Sequence, residues 1–173
     1  PTIEKLSKPG VLSLIDMSDT LSQKKRQILV YYLSSILFNK RQEKKIPPFL
    51  LVWEEAHNYA PEKTSKENAI SKSIIEKIAR EGRKFGACLC LISQRPVHLA
   101  TTALSQCNTQ IILRITNPYD IDHIGKSSEG LTREVLNTIP GLKVGEAIIT
   151  GQAVKNPVFF KVRTKKVKDS DKS

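Results

Sequence analysis

Phe49-Leu-Leu-Val-Trp-Glu-Glu-Ala-His57 is the most informative stretch of this 173-residue chain. It begins with five bulky apolar residues that directly follow Pro47-Pro48, and these five positions do not alternate with polar ones. Continuous apolar character is typical of a strand that is buried on both faces in a parallel sheet. The sequence therefore predicts an α/β fold in which this strand lies inside a parallel sheet.

Helices and further strands are predicted in alternation around this strand. The capping boxes Thr20-x-x-Gln23 and Thr64-x-x-Glu67 open two amphipathic helices, and Gly82 and Gly86 are expected to end the second. The other predicted elements are strands at residues 11–17, 87–92 and 109–115, short helices at 118–125 and 131–138, and a hairpin at 146–150 and 158–162. This order implies a parallel sheet flanked by helices. We expect one domain over residues 1–163, followed by a basic, flexible tail at 164–173.

Two acidic residues, Glu54 and Glu55, come directly after the apolar strand. Open α/β sheets bind their ligands at the carboxyl ends of the strands. In nucleoside triphosphatases, one acid at this place organises Mg²⁺ and another orients the attacking water. The pattern alone is equally compatible with an ordinary strand end whose acids face solvent, so other residues have to support the chemical interpretation.

Gln94 follows the next predicted strand, in the sequence Ser93-Gln94-Arg95-Pro96. Strands that are joined through one helical crossover are often neighbours, so this amide is expected close to the two acids. A glutamine in that position can sense the γ-phosphate of a nucleotide or the water that attacks it. Without Glu54 and Glu55, the same four residues would indicate only a loop.

Three arginines are further candidates. Arg80 and Arg83 are predicted on the helix face opposite a buried stripe formed by Ile70, Ile74, Ile75 and Ile78. An exposed arginine is usually just solvated, but in ring-shaped ATPases an outward arginine reaches the nucleotide of the neighbouring subunit. Arg114 falls inside a predicted strand, where it needs a carboxylate or phosphate partner.

The amino-acid composition indicates what kind of molecule the protein is expected to bind. The chain has 28 Lys and Arg against 17 Asp and Glu, giving a net charge of +11, which favours a polyanion such as nucleic acid. Lysine-rich surfaces also serve solubility or the ion-pair networks of thermophiles. No apolar run approaches the roughly 18 residues that span a bilayer. With no signal peptide and three cysteines, the sequence predicts a cytoplasmic protein.

Two apparent motifs are rejected on their context. Gly125-Lys126-Ser127 looks like the end of a phosphate-binding loop, but Asp120 stands where the first glycine should be, and the preceding segment is predicted to be helical. Glu54-x-x-His57 could be half of a metal site, but the second half is missing. The histidines are therefore interpreted as surface residues or as residues with ordinary hydrogen-bond partners.

An ordered series of motifs covers nearly the whole chain. It consists of Glu54-Glu55-Ala-His57-Asn-Tyr-Ala-Pro61, Ala79-Arg80-Glu81-Gly82-Arg83-Lys84-Phe-Gly86, Ser93-Gln94-Arg95-Pro96, Asn117-Pro118-x-Asp120 and Gly145-Glu146-Ala147. The series closely resembles the HerA branch of the HerA–FtsK superfamily, hexameric DNA-pumping ATPases whose architecture is similar to RecA-type motor domains. The resemblance implies an ATP- and Mg²⁺-dependent translocase or helicase. It also implies that the protein acts on double-stranded DNA as a homo-hexamer, with a NurA-type nuclease in DNA end resection.

The resemblance also implies a role for each candidate residue. Glu54 would hold the Walker B position and organise Mg²⁺, and Glu55 would activate the attacking water. Gln94 would sense the γ-phosphate. Arg80 would be the arginine that is supplied in trans, with Arg83 and Arg114 as weaker candidates.

One departure from the family pattern is large. No Walker A sequence occurs in the 173 residues, so we expect a carboxyl-terminal part of a larger motor protein that is inactive by itself. Two alternatives remain open. One is a non-catalytic RecA-like module that binds a nuclease or DNA, and the other is an FtsK-like or conjugation-type DNA pump. The Glu-Glu-Ala-His run favours the HerA branch over such pumps.

Overall fold

The computed structural model describes residues 2–17, 22–63, 69–128 and 130–166. These residues divide into two compact units, one ending at Cys107 and the other beginning at Asn108. The single domain over residues 1–163 remains a prediction, and residues 167–173 of the expected tail lie outside the described part. Within that part, no helix has the length and apolar character required to cross a bilayer.

The first unit contains a two-stranded parallel sheet and the helices that pack on it. Strand β1 pairs with β2 in the register Phe49↔Ala87 to Trp53↔Leu91, as the βαβ pattern predicts. The elements of this unit are α1 (Ile3–Leu6), α2 (Gln23–Gln42), β1 (Phe49–Trp53), α3 (Lys72–Phe85), β2 (Ala87–Leu91) and α4 (Thr101–Leu104).

Strand β1 is buried on one face only, so the prediction of burial on both faces is wrong for the described residues. Phe49, Leu51 and Trp53 pack into the core of the first unit. Leu50 and Val52 point to the opposite face and are 63% and 46% exposed. Apolar residues at every position permit burial on both sides, but burial also requires a second layer of structure.

Helix α2 begins at a different residue than predicted and anchors the loop that follows β1. Its amino-terminal cap is Ser22, whose side chain accepts a hydrogen bond from the Lys25 backbone, whereas Thr20 lies outside the described residues. The buried Gln27 side chain donates to the Asn58 carbonyl at 2.9 Å and accepts from the Ile70 backbone N–H at 2.9 Å. Gln27 therefore fixes the loop after β1 and the approach to α3 with one side chain.

Helix α3 connects the two strands and has most of the predicted buried stripe. Ile74, Ile75 and Ile78 are buried, whereas Ile70 is only half-buried and precedes the first helical residue, Lys72. Thr64-x-x-Glu67 lies outside the described residues. Gly86 ends the helix in the left-handed conformation, with φ of 72°. Gly82 does not end the helix but lies inside it, where a Cβ atom would come within 2.2 Å of the Ala87 carbonyl oxygen.

The second unit is built on a three-stranded antiparallel sheet. Strand β3 (Thr109–Leu113) pairs with β4 (Glu146–Gly151), which pairs with β5 (Val158–Lys161), and this confirms the predicted hairpin. Helices α5 (Pro118–Ser127) and α6 (Arg133–Thr138) follow β3. Among the described residues β3 does not join the parallel sheet, contrary to prediction, because its short sequence, Thr-Gln-Ile-Ile-Leu, does not specify the direction of pairing.

Residues 11–17 are not a strand in the structure. Leu12 and Leu14 are 92% and 90% exposed, and the Ser13 hydroxyl donates to the Leu6 carbonyl. A strand is stable only when a neighbour satisfies its backbone groups, and this segment pairs with none of the described strands. The apolar residues of this segment are therefore insufficient to specify a strand.

Candidate functional site

The loops that follow β1 and β2 are joined by backbone hydrogen bonds into one edge of the sheet. The Ile92 N–H donates to the Trp53 carbonyl at 3.0 Å, and the Ala56 N–H donates to the Ile92 carbonyl at 2.9 Å. Further along the same loops, the Ala100 N–H donates to the Ala60 carbonyl at 2.8 Å. The carboxyl ends of the two strands, where the acids and Gln94 were predicted, are therefore adjacent.

Glu54 and Glu55 occupy a turn at this edge. Glu54 is exposed, whereas the Glu55 side chain is 38% exposed. Glu55 has φ of 51° and ψ of 46°, a left-handed conformation that costs a residue with a side chain roughly 1–2 kcal/mol. A short 3₁₀ turn, Ala56–Asn58, starts directly after it. The backbone thus reverses at Glu55 and leaves both carboxylates accessible from solvent.

His57 lies between the two loops, where the sequence interpretation had placed only a surface or ordinary polar residue. Its Nδ1 atom is hydrogen-bonded to the Ser93 hydroxyl at 2.9 Å and lies 3.3 Å from Glu55 Oε2. Burial lowers the pKa of His57 below its usual value, as do the nearby charges of His98 and Arg95, while Glu55 opposes the shift. At neutral pH the ring is therefore uncharged.

Gln94 is exposed at the end of β2, next to the Ser93 residue that contacts His57. The Ser93 hydroxyl also accepts a hydrogen bond from the Arg95 backbone at 3.1 Å, which closes a tight turn around Gln94. Glu54, Glu55 and Gln94 are thus at one sheet edge, with their side chains available to a ligand.

Two of the three candidate arginines lie on helix α3, and the third lies in the second unit. Arg80 and Arg83 are exposed on α3, on the face opposite the buried isoleucines, as predicted. Arg114 follows the last residue of β3 instead of lying inside the strand, and it is exposed. It belongs to the second unit, whereas Glu55 and Gln94 belong to the first.

Glu54 and Glu55 could hold a magnesium ion only together with other ligands. No group of three His, Cys, Asp or Glu side chains able to hold a metal occurs in the described ranges. Magnesium, however, is usually held by one or two carboxylates, water and the phosphates of the substrate. Glu54 could supply such a carboxylate. Gly125-Lys126-Ser127 lies at the end of helix α5, as expected when it was rejected as a phosphate loop.

Ser93 and His57 are the residues of this site that the sequence interpretation missed. Both were visible as signals, because His57 lies two positions after Glu55 and Ser93 directly precedes Gln94. Their pairing depends on the register of β1 and β2, which brings Trp53 opposite Leu91. Periodicity alone does not specify that register.

Solved structures confirm the predicted fold class. The genome-packaging NTPase B204 of Sulfolobus turreted icosahedral virus 2, bound to ATP-γS, superposes with a TM-score of 0.65 at 16% identity over 95% of this chain and 72% of that one. The same NTPase in complex with sulfate gives 0.63 at 20% identity, over 81% and 64%. The chain thus shares the α/β fold of this NTPase, and its two acids lie at the carboxyl edge of its parallel strands, where open α/β sheets bind ligands.

Curated relatives show the family. The chain is 37% identical, over 90% of its length, to the DNA double-strand break repair helicase HerA of Pyrococcus furiosus, and 36% identical over 92% to HerA of Saccharolobus solfataricus. It is 46% identical over 67% of its length to the probable helicase MJECL08 of Methanocaldococcus jannaschii. The chain belongs to the HerA family.

The chain matches only part of each of these relatives. The chain spans 33%, 32% and 22% of the lengths of these three proteins, respectively. No family model matches the chain.

Proposed function

We propose that the protein is an ATP-driven motor that translocates along or unwinds double-stranded DNA, and that these residues supply the water-activating side of its ATP site. The observation that carries the proposal is the arrangement of Glu54, Glu55 and Gln94 at one edge of the parallel β1–β2 pair. ATP and Mg²⁺ are the cofactors that this arrangement suits. The similarity to proteins named as DNA break repair helicases supports DNA as the substrate.

Each residue at the edge has a distinct task in this proposal. Glu54 is the more exposed acid and would hold Mg²⁺, which would neutralise phosphate charge. Glu55 accepts the proton of the attacking water and orients it toward the γ-phosphate. Gln94 offers an amide that can donate to a phosphate oxygen or accept from the water. Together they bring a base, a cation and a sensor to one reacting group.

The phosphates need a further binding element. The 173 residues contain no Gly-x-x-x-x-Gly-Lys-[Ser/Thr] sequence, so we propose that the phosphate loop comes from another part of the protein. The 173 residues alone should then not hydrolyse ATP. A complete reading frame without that motif would contradict the motor function and favour a non-catalytic RecA-like module.

Helix α3 supports an arginine that acts between subunits. A crossover helix starts near the carboxyl ends of the strands and returns to their amino ends, and Arg80 is the ninth of its fourteen residues. At 1.5 Å per residue, Arg80 lies roughly 12 Å along the helix from Lys72, away from the edge that carries Glu55. Since Arg80 also points outward, it suits the ATP site of a neighbouring copy in a homo-hexamer.

A subunit-mixing experiment tests this assignment of Arg80. Rings of Arg80→Ala subunits and rings of Glu55→Gln subunits are each expected to be inactive. Mixed rings should regain ATPase activity, because some interfaces combine an intact Glu55 with an intact Arg80. The same mixing with Arg83→Ala or Arg114→Ala subunits compares the weaker candidates. If verified mixed rings show no rescue, Arg80 does not act across the interface.

The positive charge of the protein supports a DNA partner. The net charge is +11, but Arg41 donates to the Phe85 and Ile46 carbonyls, and Lys40 and Lys45 pair with Glu4 and Glu43. The basic segment at residues 40–45 is therefore partly used within the fold. The basic segments at residues 24–26 and 161–168 are further candidates for phosphate contacts.

The ATPase rate of the protein produced from its complete reading frame tests the proposed function. Duplex DNA is expected to stimulate the rate, and the stimulation should fall steeply with salt because phosphate contacts release counterions. An FtsK-like or conjugation-type pump would also be stimulated but is distinguished by its partner. A HerA-type motor should bind and activate a NurA-type nuclease in the same assay.

A binding module that lacks catalysis gives a different pattern. In that case Glu55→Gln would change nothing, whereas reversal of charge at Lys165 and Lys166 would abolish binding to DNA or to the nuclease. The motor function instead predicts that Glu55→Gln reduces ATP turnover more than the charge reversals do. The absence of any ATPase activity in the complete protein, with or without duplex DNA, would contradict the proposed function.

A further inference from the structure

The imidazole of His57 connects the two loops of the candidate site, and the roles given above to Glu54, Glu55 and Gln94 leave it without one. We propose that His57 is a positioning residue that holds the Glu55 carboxylate in a fixed place relative to the Ser93-Gln94 end of β2. The inference rests on the proposed function, because the position of Glu55 matters only if that carboxylate activates water.

The contacts of His57 reach both loops at once. The Nδ1 atom lies 3.3 Å from Glu55 Oε2, two residues earlier in the same loop. It also lies 2.9 Å from the hydroxyl of Ser93, which follows β2. The Ser93 hydroxyl in turn accepts from the backbone N–H of Arg95. A continuous polar chain therefore runs from the catalytic carboxylate to the turn that presents Gln94.

The chemistry of the imidazole determines which way these contacts act. A neutral ring carries its proton on either Nδ1 or Nε2. A lone pair on Nδ1 would face the negative Glu55 carboxylate, so the carboxylate favours the form with the proton on Nδ1. The Nδ1–H group then donates to the Ser93 hydroxyl and presents its positive end to Glu55 Oε2.

Glu55 needs such a partner because its backbone fixes only part of its side chain. The left-handed backbone sets the direction of the Cα–Cβ bond, but the carboxylate is still separated from it by rotatable bonds. Its side chain is 38% exposed, whereas that of His57 is 14% exposed. The more buried ring can therefore restrain the more mobile carboxylate. A misplacement of about 1 Å at a reacting group can cost about 100-fold in rate.

A neutral ring suits this task better than a charged one. Burial keeps the pKa of His57 low, and the positive Arg95 and the neighbouring His98 act in the same direction. Glu55 therefore faces a hydrogen-bond donor and not a full cation. A carboxylate that is paired with a cation is a weaker base, so a neutral partner orients Glu55 and leaves it able to accept a proton.

Two substitutions of similar size separate positioning from mere packing. In the complete, DNA-stimulated protein, His57→Asn keeps an amide N–H close to the place of Nδ1, whereas His57→Gln moves the amide to the place of Nε2. We expect kcat for ATP hydrolysis to fall by about tenfold to fiftyfold in His57→Gln and by less than about fivefold in His57→Asn. The KM for ATP should stay within about twofold in both, since His57 has no task in binding the phosphates.

Ser93→Ala tests the same chain without changing the ring. It should lower kcat by about threefold to fivefold. Its effect should not add to that of His57→Gln, because both substitutions remove the same contact between His57 and Ser93. Ser73→Ala is the matched control, since it makes the same change at an exposed serine of helix α3, and its kcat should stay within about twofold. Circular dichroism of each variant identifies any that fail to fold, and the Ser93→Ala result then decides.

The outcomes separate this inference from the proposed function. If Glu55→Gln abolishes turnover but His57→Gln, His57→Asn and Ser93→Ala retain the wild-type kcat, the positioning role of His57 is wrong and the motor function stands. Equal losses in His57→Asn and His57→Gln would also overturn it, because the Nδ1 donor would then be irrelevant. If Glu55→Gln itself retains activity, the proposed function fails first.

Discussion

Glu55→Gln should lower the ATP turnover of the complete protein by about 100-fold to 10,000-fold, the range that a general base contributes. Glutamine has nearly the same shape and keeps an acceptor oxygen, but it cannot take the proton of the attacking water. The side chain lies at the carboxyl end of β1, where the substitution leaves the apolar core untouched. Nucleotide affinity, measured with a non-hydrolysable ATP analogue, should therefore change by less than about threefold.

Two further variants show whether the effect belongs to this carboxylate. Glu54→Gln should raise the Mg²⁺ concentration needed for half-maximal activity, because it weakens a metal ligand and not the base. Glu134→Gln makes the same change at an exposed glutamate in the first turn of α6 and should leave turnover within about twofold. Turnover in Glu55→Gln within tenfold of wild type would contradict the role given to Glu55.

Gly82→Ala should lower the free energy of unfolding of the first unit by about 2 kcal/mol or more, the scale of a forced steric shift in a packed interior. The new methyl group would come within 2.2 Å of the Ala87 carbonyl oxygen and 3.1 Å of the Ile78 side chain. The first of these neighbours is backbone at the start of β2, so either the helix or the strand has to move. Alanine's better helix propensity, worth about 1 kcal/mol, offsets only part of this cost.

Urea unfolding measures this effect through the fluorescence of Trp53, which is buried in the same core as helix α3. Ser73→Ala is the control, because it places alanine at an exposed position of the same helix and should shift stability by less than about 0.5 kcal/mol. If Gly82→Ala unfolds at the wild-type urea concentration or above it, the close approach of α3 to β2 is not rigid. Activity should fall in the same variant, because Ser93 and Gln94 closely follow β2.

Several elements were correctly predicted because their signals are local. The strand at Phe49–Trp53, the buried isoleucines of α3 and the exposed Arg80 and Arg83 all follow from the spacing of apolar residues. The hairpin of β4 and β5 was predicted from alternation and is present. Boundaries were less certain. Helix α2 begins at Gln23 behind a Ser22 cap, since several polar residues near its start are competent caps.

The errors share one cause, which is that the partner of an apolar segment is not encoded in the segment. Like β1, β3 was predicted in a parallel sheet, yet β3 pairs antiparallel with β4. Residues 11–17 are rich in apolar residues but have no strand beside them among the described residues. Gly82 was interpreted as a helix end, whereas it is a contact point between helix and strand. Each outcome depends on residues that are distant along the chain.

The amino-acid sequence was enough to predict the α/β class, the resemblance to the family and the two acids after β1. Each of these follows from the types and spacing of residues that are close together along the chain. Tertiary structure alone placed His57 between Glu55 and Ser93, since that contact requires a specific register between two strands separated by a helix. It also explained Gly82, whose missing side chain matters only when α3 lies against β2. A sequence pattern specifies which faces prefer burial, but hydrogen bonds and close contacts between distant residues are made only when the chain is folded.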